Sequence, residues 1–157
     1  MTDGLPRFDS SGAFEGRIQR FDHVSMAVRS FEAAAPLVTL IGGQKFDSGY
    51  EEDTDFHWVQ YDLPHWGRLE LIRTDSRDPE HFINRFIRDR GEGLHHLTFK
   101  VTDVHAAARM AEQLGFTTVG LNDADPAWKE VFVHPQSANG VLVQLAEFDD
   151  TVHSDTA

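Results

Sequence analysis

The sequence contains no cysteine and no long apolar run. Its 157 residues therefore hold no disulfide, no thiol nucleophile and no thiolate metal site, so any metal must be bound through histidine, carboxylate or amide groups. No segment approaches the roughly 18 consecutive apolar residues of a membrane-spanning helix. The opening stretch, MTDGLPRFDSSGAFEG, has neither the basic nor the apolar region of a signal peptide. We expect a soluble, cytoplasmic protein with no membrane partner.

Basic residues are also scarce. Fourteen Lys and Arg stand against 26 Asp and Glu, so the formal net charge is −12 with neutral histidines. A chain this acidic is repelled by the phosphate backbone of nucleic acids and by anionic membrane surfaces. We therefore exclude nucleic acid as a partner and expect a small-molecule ligand.

The length fits one domain with a core large enough to fold without disulfides. Both ends are polar and lack an apolar period, which predicts a flexible N-terminal tail over residues 1–19 and an acidic C-terminal tail over residues 149–157. The domain then covers residues 20–148.

An internal repeat fills this domain. Residues 23–42 (HVSMAVRSFEAAAPLVTLIG) align without a gap with residues 96–115 (HLTFKVTDVHAAARMAEQLG) and share six identities over twenty positions. Each copy begins as a strand, continues as a helix that Ser30 or Asp103 caps, and is followed by three more strand candidates. Pro36 predicts a kink or a late start for the first helix.

The repeat predicts two tandem βαβββ modules. We expect module one over residues 20–75 and module two over residues 93–148. A helix over residues 79–90, in which apolar side chains recur at helical spacing, is expected to link them.

Strand alternation selects four polar side chains for one face of the sheet. In FDHVSMAV the apolar side chains that would pack under the helix alternate with His23. In LHHLTFKV the same alternation selects His96 rather than His95, which would face the helix layer. In RLELI and VLVQLAE it selects Glu70 and Gln144, which are equivalent positions of the two modules.

Two imidazoles, one carboxylate and one amide oxygen suit one divalent ion such as Zn, Ni, Co, Mn or Fe(II). A coordination position left open to substrate is what Lewis-acid catalysis requires. The sequence thus predicts an α+β fold whose two modules form a curved mixed sheet around a metal site. The alternative is a metal-free binding cleft with a polar floor.

Three segments, FDHVSMAV, RFIRDRGEGLHHLTFKVTDV and VFVHPQSANGVLVQLAE, resemble the vicinal oxygen chelate superfamily of glyoxalases, bleomycin-resistance proteins and dioxygenases. Within it they are most similar to the methylmalonyl-CoA epimerases. The resemblance spans residues 20–148 and implies paired βαβββ modules around one divalent metal, usually in a homodimer. It implies metal ligands at His23, Glu70, His96 and Gln144.

This chain differs from those epimerases in the ligand set. They carry Gln at the second metal position and Glu at the fourth, where this chain has Glu70 and Gln144, and their fourth-position Glu is also a catalytic base. Their other base lies on the strand that corresponds to residues 56–62. If Val59 packs under the helix, that strand offers the site no carboxylate, whereas the opposite alternation turns His57 toward the metal.

The favoured hypothesis is an epimerase or isomerase that removes a proton beside a carbonyl, with the metal stabilising the enolate. An amide is not a useful proton acceptor, so Glu70 is the expected base and His57 is the reserve. The alternatives are a glyoxalase-type lyase on the same fold and a protein that binds a drug or metabolite without turnover.

Two residue types are candidates for substrate contacts. An acyl-CoA substrate needs cations for its phosphates, and the cations considered are Arg68, Arg73, Lys100 and Lys129. A binding protein needs an aromatic cleft, for which the candidates are Trp58, Trp66 and Trp128. From these residues and the strand that carries Gln60, the expected substrate contacts are Trp58, Gln60, Arg68, Lys100 and Trp128.

Overall fold

The computed structural model describes residues 18–65 and 67–153. Their helices and strands follow the order that the repeat predicts. Module one contains β1 (Ile18–Ala27), α1 (Phe31–Leu40), β2 (Gln44–Glu51), β3 (Phe56–Leu63) and β4 (Gly67–Arg73). After α2 (Phe82–Arg90), module two contains β5 (Gly93–Val101), α3 (Val104–Gln113), β6 (Thr118–Asp125), β7 (Trp128–Val133) and β8 (Val143–Phe148).

The eight strands form one mixed sheet in the order β2-β3-β4-β1-β5-β8-β7-β6. In each module the first strand pairs in parallel with the last one, β1 with β4 and β5 with β8. The modules meet where β1 and β5 pair antiparallel. The predicted α+β fold of two tandem βαβββ modules is therefore confirmed, and β4, β1, β5 and β8 are its four central strands.

Each module helix begins at the predicted cap. Ser30 Oγ accepts a hydrogen bond from the Ala33 N–H (3.2 Å), and Asp103 Oδ1 accepts one from the Ala106 N–H (2.8 Å). Pro36 lies inside α1, which begins at Phe31. The late start that proline allowed is thus not what the chain adopts.

The helices divide between the two faces of the sheet. α1 and α3 cover the apolar alternation, with Leu71 completely buried under α1 and Val104 completely buried at the start of α3. α2 packs on the opposite face, where Ile83 and Ile87 meet Ala27 and Ile72. The face that the sequence assigns to the polar side chains is therefore closed at one end by α2.

Several boundaries differ from those expected. β1 already includes residues 18 and 19, and the linking helix begins at Phe82. After β8, a short 3-10 helix runs over Asp150–His153, and Asp150 forms ion pairs with Arg20 (2.7 Å) and Lys100 (2.9 Å). The rest of the two predicted tails, residues 1–17 and 154–157, lies outside the described residues. No helix of the described chain has the length and apolar character needed to cross a membrane.

Candidate metal centre

Two irregularities in the pairing of β1 with β5 shape the polar face. Phe21 pairs with Phe99 and His23 with Thr98, so Asp22 is an extra residue in β1. Such a bulge turns two successive side chains toward one face. Asp22 and His23 are accordingly both buried, with 4% and 1% of their surface exposed.

The second irregularity lies in β5. Ser25 pairs with His96 and Met26 with Leu94, which leaves His95 as the extra residue. Its ring packs against Phe86 of α2, at 4.7 Å between ring centroids, and not among the apolar side chains under α3. The expectation that His95 faces that helix layer is wrong because a bulge breaks the strict alternation on which it was based.

Asp22 fixes the orientation of the His23 ring. Its Oδ2 lies 2.8 Å from His23 Nδ1, while its Oδ1 lies 3.1 Å from Arg20 and 3.4 Å from Arg68. Burial opposes the ionisation of Asp22, but the hydrogen bond from His23 and the neighbouring positive charges hold the pKa of the carboxyl below its ordinary value. An ionised Asp22 accepts the Nδ1 proton, so the lone pair of His23 is on Nε2.

His23 Nε2 points toward two further ionisable residues. It lies 3.6 Å from Glu70 Oε2, and the ligand atoms of His23, Glu70 and His96 all lie within 4.8 Å of one another. Burial, together with the neighbouring His95 and His23 rings, lowers the pKa of His96 well below its ordinary value. His96 is therefore neutral, which is the form that binds a metal.

Gln60 and Gln144 complete the wall around these three residues. Gln60 Nε2 donates to Glu70 Oε2 (2.9 Å). Gln144 Oε1 accepts from Thr98 Oγ1 (2.6 Å), and that hydroxyl lies 3.0 Å from His23 Nε2. The structure thus brings the four predicted ligand residues to one polar pocket on the four central strands.

The donor set and its surroundings fit a divalent cation. Two imidazole nitrogens with a carboxylate and an amide oxygen form a mixed set suited to Zn, Ni, Co, Mn or Fe(II). Ser25 lies opposite Glu70 in the pairing of β1 with β4. Ser25 Oγ and Gln60 Oε1 are buried polar atoms without a hydrogen-bond partner among the described residues. Buried polar groups are normally satisfied, so a bound ion and its water would remove an existing deficit.

His57 lies away from this pocket. It shares the alternation of Val59, which packs in the core under α1, and its Nε2 lies 3.0 Å from Asp75 Oδ2 on the surface. The alternative in which His57 faces the metal is therefore wrong, and we drop His57 as the reserve base. Gln60 and Trp58 take the alternation that points toward the site face.

The two described tryptophans, Trp58 and Trp128, do not share one aromatic cleft. Trp58 packs with Ile72 and Ile83 beneath α2, and Trp128 stacks on Phe148 with 4.7 Å between ring centroids. Trp66 lies outside the described residues. Trp128 is connected to the proposed ligand Gln144 through Glu130, which accepts hydrogen bonds from both Trp128 Nε1 and Gln144 Nε2.

Each candidate cation already has a carboxylate partner. Arg68 pairs with Asp62 and Asp22, Arg73 with Asp75, Lys100 with Asp150 and Lys129 with Glu147. Lys100 is 7% exposed. The phosphates of an acyl-CoA substrate would have to displace these carboxylates. The ion pairs therefore argue against the expectation that these cations are available to bind CoA phosphates.

Sequence reasoning missed two residues of the site. Asp22 was hidden by the bulge, since regular alternation would turn it away from His23. Glu130 could have been found, because the apolar alternation of Val131 and Val133 in β7 leaves Glu130 on the site face.

Comparisons with known proteins show two curated relatives of similar length to this chain. The chain is 28% identical over 145 residues to the uncharacterized protein YqjC of Bacillus subtilis, covering 88% of this chain and 99% of that protein. It is 27% identical over 135 residues to the ethylmalonyl-CoA/methylmalonyl-CoA epimerase of Cereibacter sphaeroides, covering 83% of this chain and 98% of that protein.

Among solved structures, the methylmalonyl-CoA epimerase of Mycobacterium tuberculosis superposes with a TM-score of 0.74 at 22% identity. The superposition covers 88% of this chain and 94% of the epimerase and shows a shared fold. The family model described as glyoxalase/bleomycin resistance protein/dioxygenase superfamily matches residues 22–132, which run from within β1 to within β7. The chain belongs to the glyoxalase/bleomycin resistance protein/dioxygenase superfamily.

Proposed function

We propose that this protein is a divalent-metal-dependent epimerase or isomerase that removes a proton alpha to a carbonyl. The observation that carries the proposal is the convergence of His23, Glu70 and His96, whose ligand atoms lie within 4.8 Å of one another on strands of both modules. Gln144 would add an amide oxygen to these ligands. A bound divalent ion would act as a Lewis acid that stabilises the negative charge formed on the carbonyl oxygen.

Glu70 is the residue we assign to proton transfer. It is 8% exposed, and Gln60 holds its Oε2 by a 2.9 Å hydrogen bond, which leaves Oε1 to accept the substrate α-proton. The C–H bond pair then moves into the carbonyl system, and the proton on Glu70 returns to the carbon or exchanges with solvent. Gln144 takes no part in this transfer because an amide is not a useful proton acceptor.

The substrate class to test first is an acyl-CoA thioester with an acidic α-carbon. Support comes from the 27% identity to an ethylmalonyl-CoA/methylmalonyl-CoA epimerase over nearly its whole length. Substrate contacts are assigned to Trp58, Gln60, Arg68, Lys100 and Trp128, the set selected from the sequence. For the two cations, binding of a CoA phosphate requires release of Asp62, Asp22 or Asp150.

Deuterium exchange tests this proposal directly. The protein is freed of metal with a chelator, reloaded in turn with Zn, Ni, Co, Mn and Fe(II), and incubated in D₂O with a panel of α-acidic thioesters and small carbonyls. NMR then follows loss of the α-proton, and elemental analysis gives the bound metal. We expect exchange in at least one metal form and a rate at least about 100-fold lower in Glu70→Gln.

Glu80→Gln is the matched control, because Glu80 is exposed and pairs with Arg88 on the surface. It should exchange at the wild-type rate. Exchange at that rate in Glu70→Gln would exclude Glu70 as the base. Tight binding of a panel compound without exchange in any metal form would favour a binding protein instead.

A second candidate function is a glyoxalase-type lyase acting on a small carbonyl or thiol adduct. The observation that favours it is the internal pairing of all four cations considered for CoA phosphates. Turnover of a small adduct that is insensitive to salt, with no exchange of acyl-CoA protons, would support this function over the epimerase.

The proposal also includes a cytoplasmic homodimer. Its support is the superfamily membership, together with exposed apolar side chains such as Leu40 and Leu94, which are 82% and 68% exposed. Light scattering coupled to gel filtration measures the oligomeric state, and cell fractionation measures the location. A monomer at micromolar concentration would remove the dimer from the proposal without touching the chemistry of Glu70.

A further inference from the structure

Glu130 is a carboxylate beside the pocket that the proposed reaction does not use. It lies on β7, and its Oε2 accepts hydrogen bonds from Gln144 Nε2 (2.6 Å) and Trp128 Nε1 (2.9 Å). The Trp128 ring stacks on Phe148 at an interplanar angle of 19°. Oε2 of Glu130 is therefore held by two donors, the indole N–H of Trp128 and the amide N–H of Gln144.

The two modules carry the same type of pair with inverted positions. In module one the central strand β4 carries the carboxylate of Glu70, and the flanking strand β3 carries the amide of Gln60, at 2.9 Å. In module two the central strand β8 carries the amide of Gln144, and the flanking strand β7 carries the carboxylate of Glu130, at 2.6 Å. Each central side chain is thus hydrogen-bonded by a partner from the next strand outward.

The inversion matters because an amide has two different ends. Only the oxygen of Gln144 can bind a cation, whereas its NH₂ group would repel one. An ionised carboxylate has acceptors and no donor, so Glu130 can receive only the NH₂ end. Oε1 of Gln144 is thereby turned toward Thr98 Oγ1 (2.6 Å), the hydroxyl that lies 3.0 Å from His23 Nε2.

We propose that Glu130 is a positioning residue that holds the Gln144 amide with its oxygen toward the candidate metal site. The amide of Gln144 on β8, together with the carboxylate of Glu130 on β7, would then take the place of a single carboxylate ligand on β8. This inference rests on the metal centre of the proposed function. Groups that orient metal ligands in this way typically contribute about 10- to 100-fold to metal affinity.

Cobalt binding tests the proposal without any turnover. Metal-free wild type, Glu130→Gln, Gln144→Ala and the double variant are titrated with Co²⁺, and the dissociation constant and visible absorption spectrum are recorded for each. We expect Glu130→Gln to weaken Co²⁺ binding about tenfold and to shift the visible bands in the same direction as Gln144→Ala. In the double variant, Glu130→Gln should add no further loss, because its effect acts through Gln144.

Glu147→Gln controls for the loss of charge. Glu147 lies on β8 and pairs with Lys129 at 2.7 Å, so this change removes the same charge without contact to Gln144. It should leave Co²⁺ affinity and spectrum unchanged. If Glu130→Gln does not fold, Trp128→Phe replaces it, since it removes the donor to Glu130 while keeping an aromatic ring to stack on Phe148.

The outcomes separate two failures. Wild type without Co²⁺ binding would overturn both the metal centre and this inference. Wild type that binds Co²⁺ while Glu130→Gln matches it in affinity and spectrum would overturn the role of Glu130 alone. A further tenfold loss from Glu130→Gln in the Gln144→Ala background would show that Glu130 acts through its charge, which also overturns the positioning role.

Discussion

Replacing Asp22 by Asn is expected to change the proton position on His23. Asp22 Oδ2 accepts the Nδ1 proton at 2.8 Å, so the lone pair that would bind a cation is on Nε2, which lies 3.0 Å from Thr98 Oγ1 and 3.6 Å from Glu70 Oε2. An asparagine NH₂ at the same place donates toward Nδ1, so the ring proton moves to Nε2 and blocks the ligand atom. The side chain has nearly the same shape, so the change isolates proton position and charge from packing.

The expected magnitude follows from the burial of the pair. Asp22 is 4% and His23 1% exposed, so water cannot replace the lost acceptor. Loss of such an orienting partner weakens metal binding about 10- to 100-fold, or about 1.4 to 2.7 kcal/mol. The hydrogen bonds from Arg20 and Arg68 to Asp22 are also weakened, which should lower the free energy of unfolding of the metal-free protein by about 2 kcal/mol.

Two measurements check this expectation. Titration with Co²⁺ at pH 7 gives the affinity, and ¹⁵N NMR of the histidine rings identifies which nitrogen of His23 carries the proton. Asp123→Asn is the matched control, because Asp123 makes the same type of contact with His105, at 2.9 Å on the exposed surface. The reasoning is refuted if Asp22→Asn keeps the Nδ1 proton and binds Co²⁺ within twofold of wild type.

Two further predictions concern stability. Burial, with a smaller contribution from Arg90, lowers the pKa of His95 from 6.5 to about 4, so below pH 6.5 the unfolded chain takes up a proton that folded His95 does not. Between pH 7 and pH 5, the free energy of unfolding of the metal-free wild type should therefore fall by about 2 kcal/mol more than that of His95→Gln. Urea titrations at the two pH values measure this difference, and equal losses in the two proteins would contradict the prediction. In Gly49→Ala the new Cβ would lie 2.7 Å from Trp58 Cζ2. We therefore expect a shifted tryptophan emission and a free energy of unfolding lower by about 1 to 3 kcal/mol. An unchanged free energy of unfolding would show that the Trp58 ring moves aside without cost.

Much of the fold could be predicted because regular alternation and duplication leave a clear signal. The repeat predicted two βαβββ modules, and period-two alternation selected His23, Glu70, His96 and Gln144 as neighbours on one face. The bulges at Asp22 and His95 come directly before His23 and His96, so the alternation is regular from each of these two residues onward, over residues 23–25 and 96–98. The structure brings all four to one pocket for that reason.

The rest depended on irregularities and on pairing partners. The bulges at Asp22 and His95 insert a residue, and no local feature of the sequence marks either insertion. Lys100 pairs with Asp150, which is distant in the sequence. Arg68 pairs with Asp22 and Asp62, which lie on the neighbouring strands β1 and β3. Only the sheet order decides such contacts.

The seam between β1 and β5 carries a consequence for how this architecture can be taken apart. Each module contains one imidazole and one oxygen donor, His23 with Glu70 in module one and His96 with Gln144 in module two. If a module were expressed separately, the edge of its first strand would be unpaired and exposed. Two such fragments, or two copies of one fragment about a twofold axis, would regain both the missing strand neighbour and the missing donors in a single docking event. The tandem duplication is in this sense comparable to a covalently tethered dimer, and the pairing of β1 with β5 would be needed both to join two fragments and to bring the four donors together.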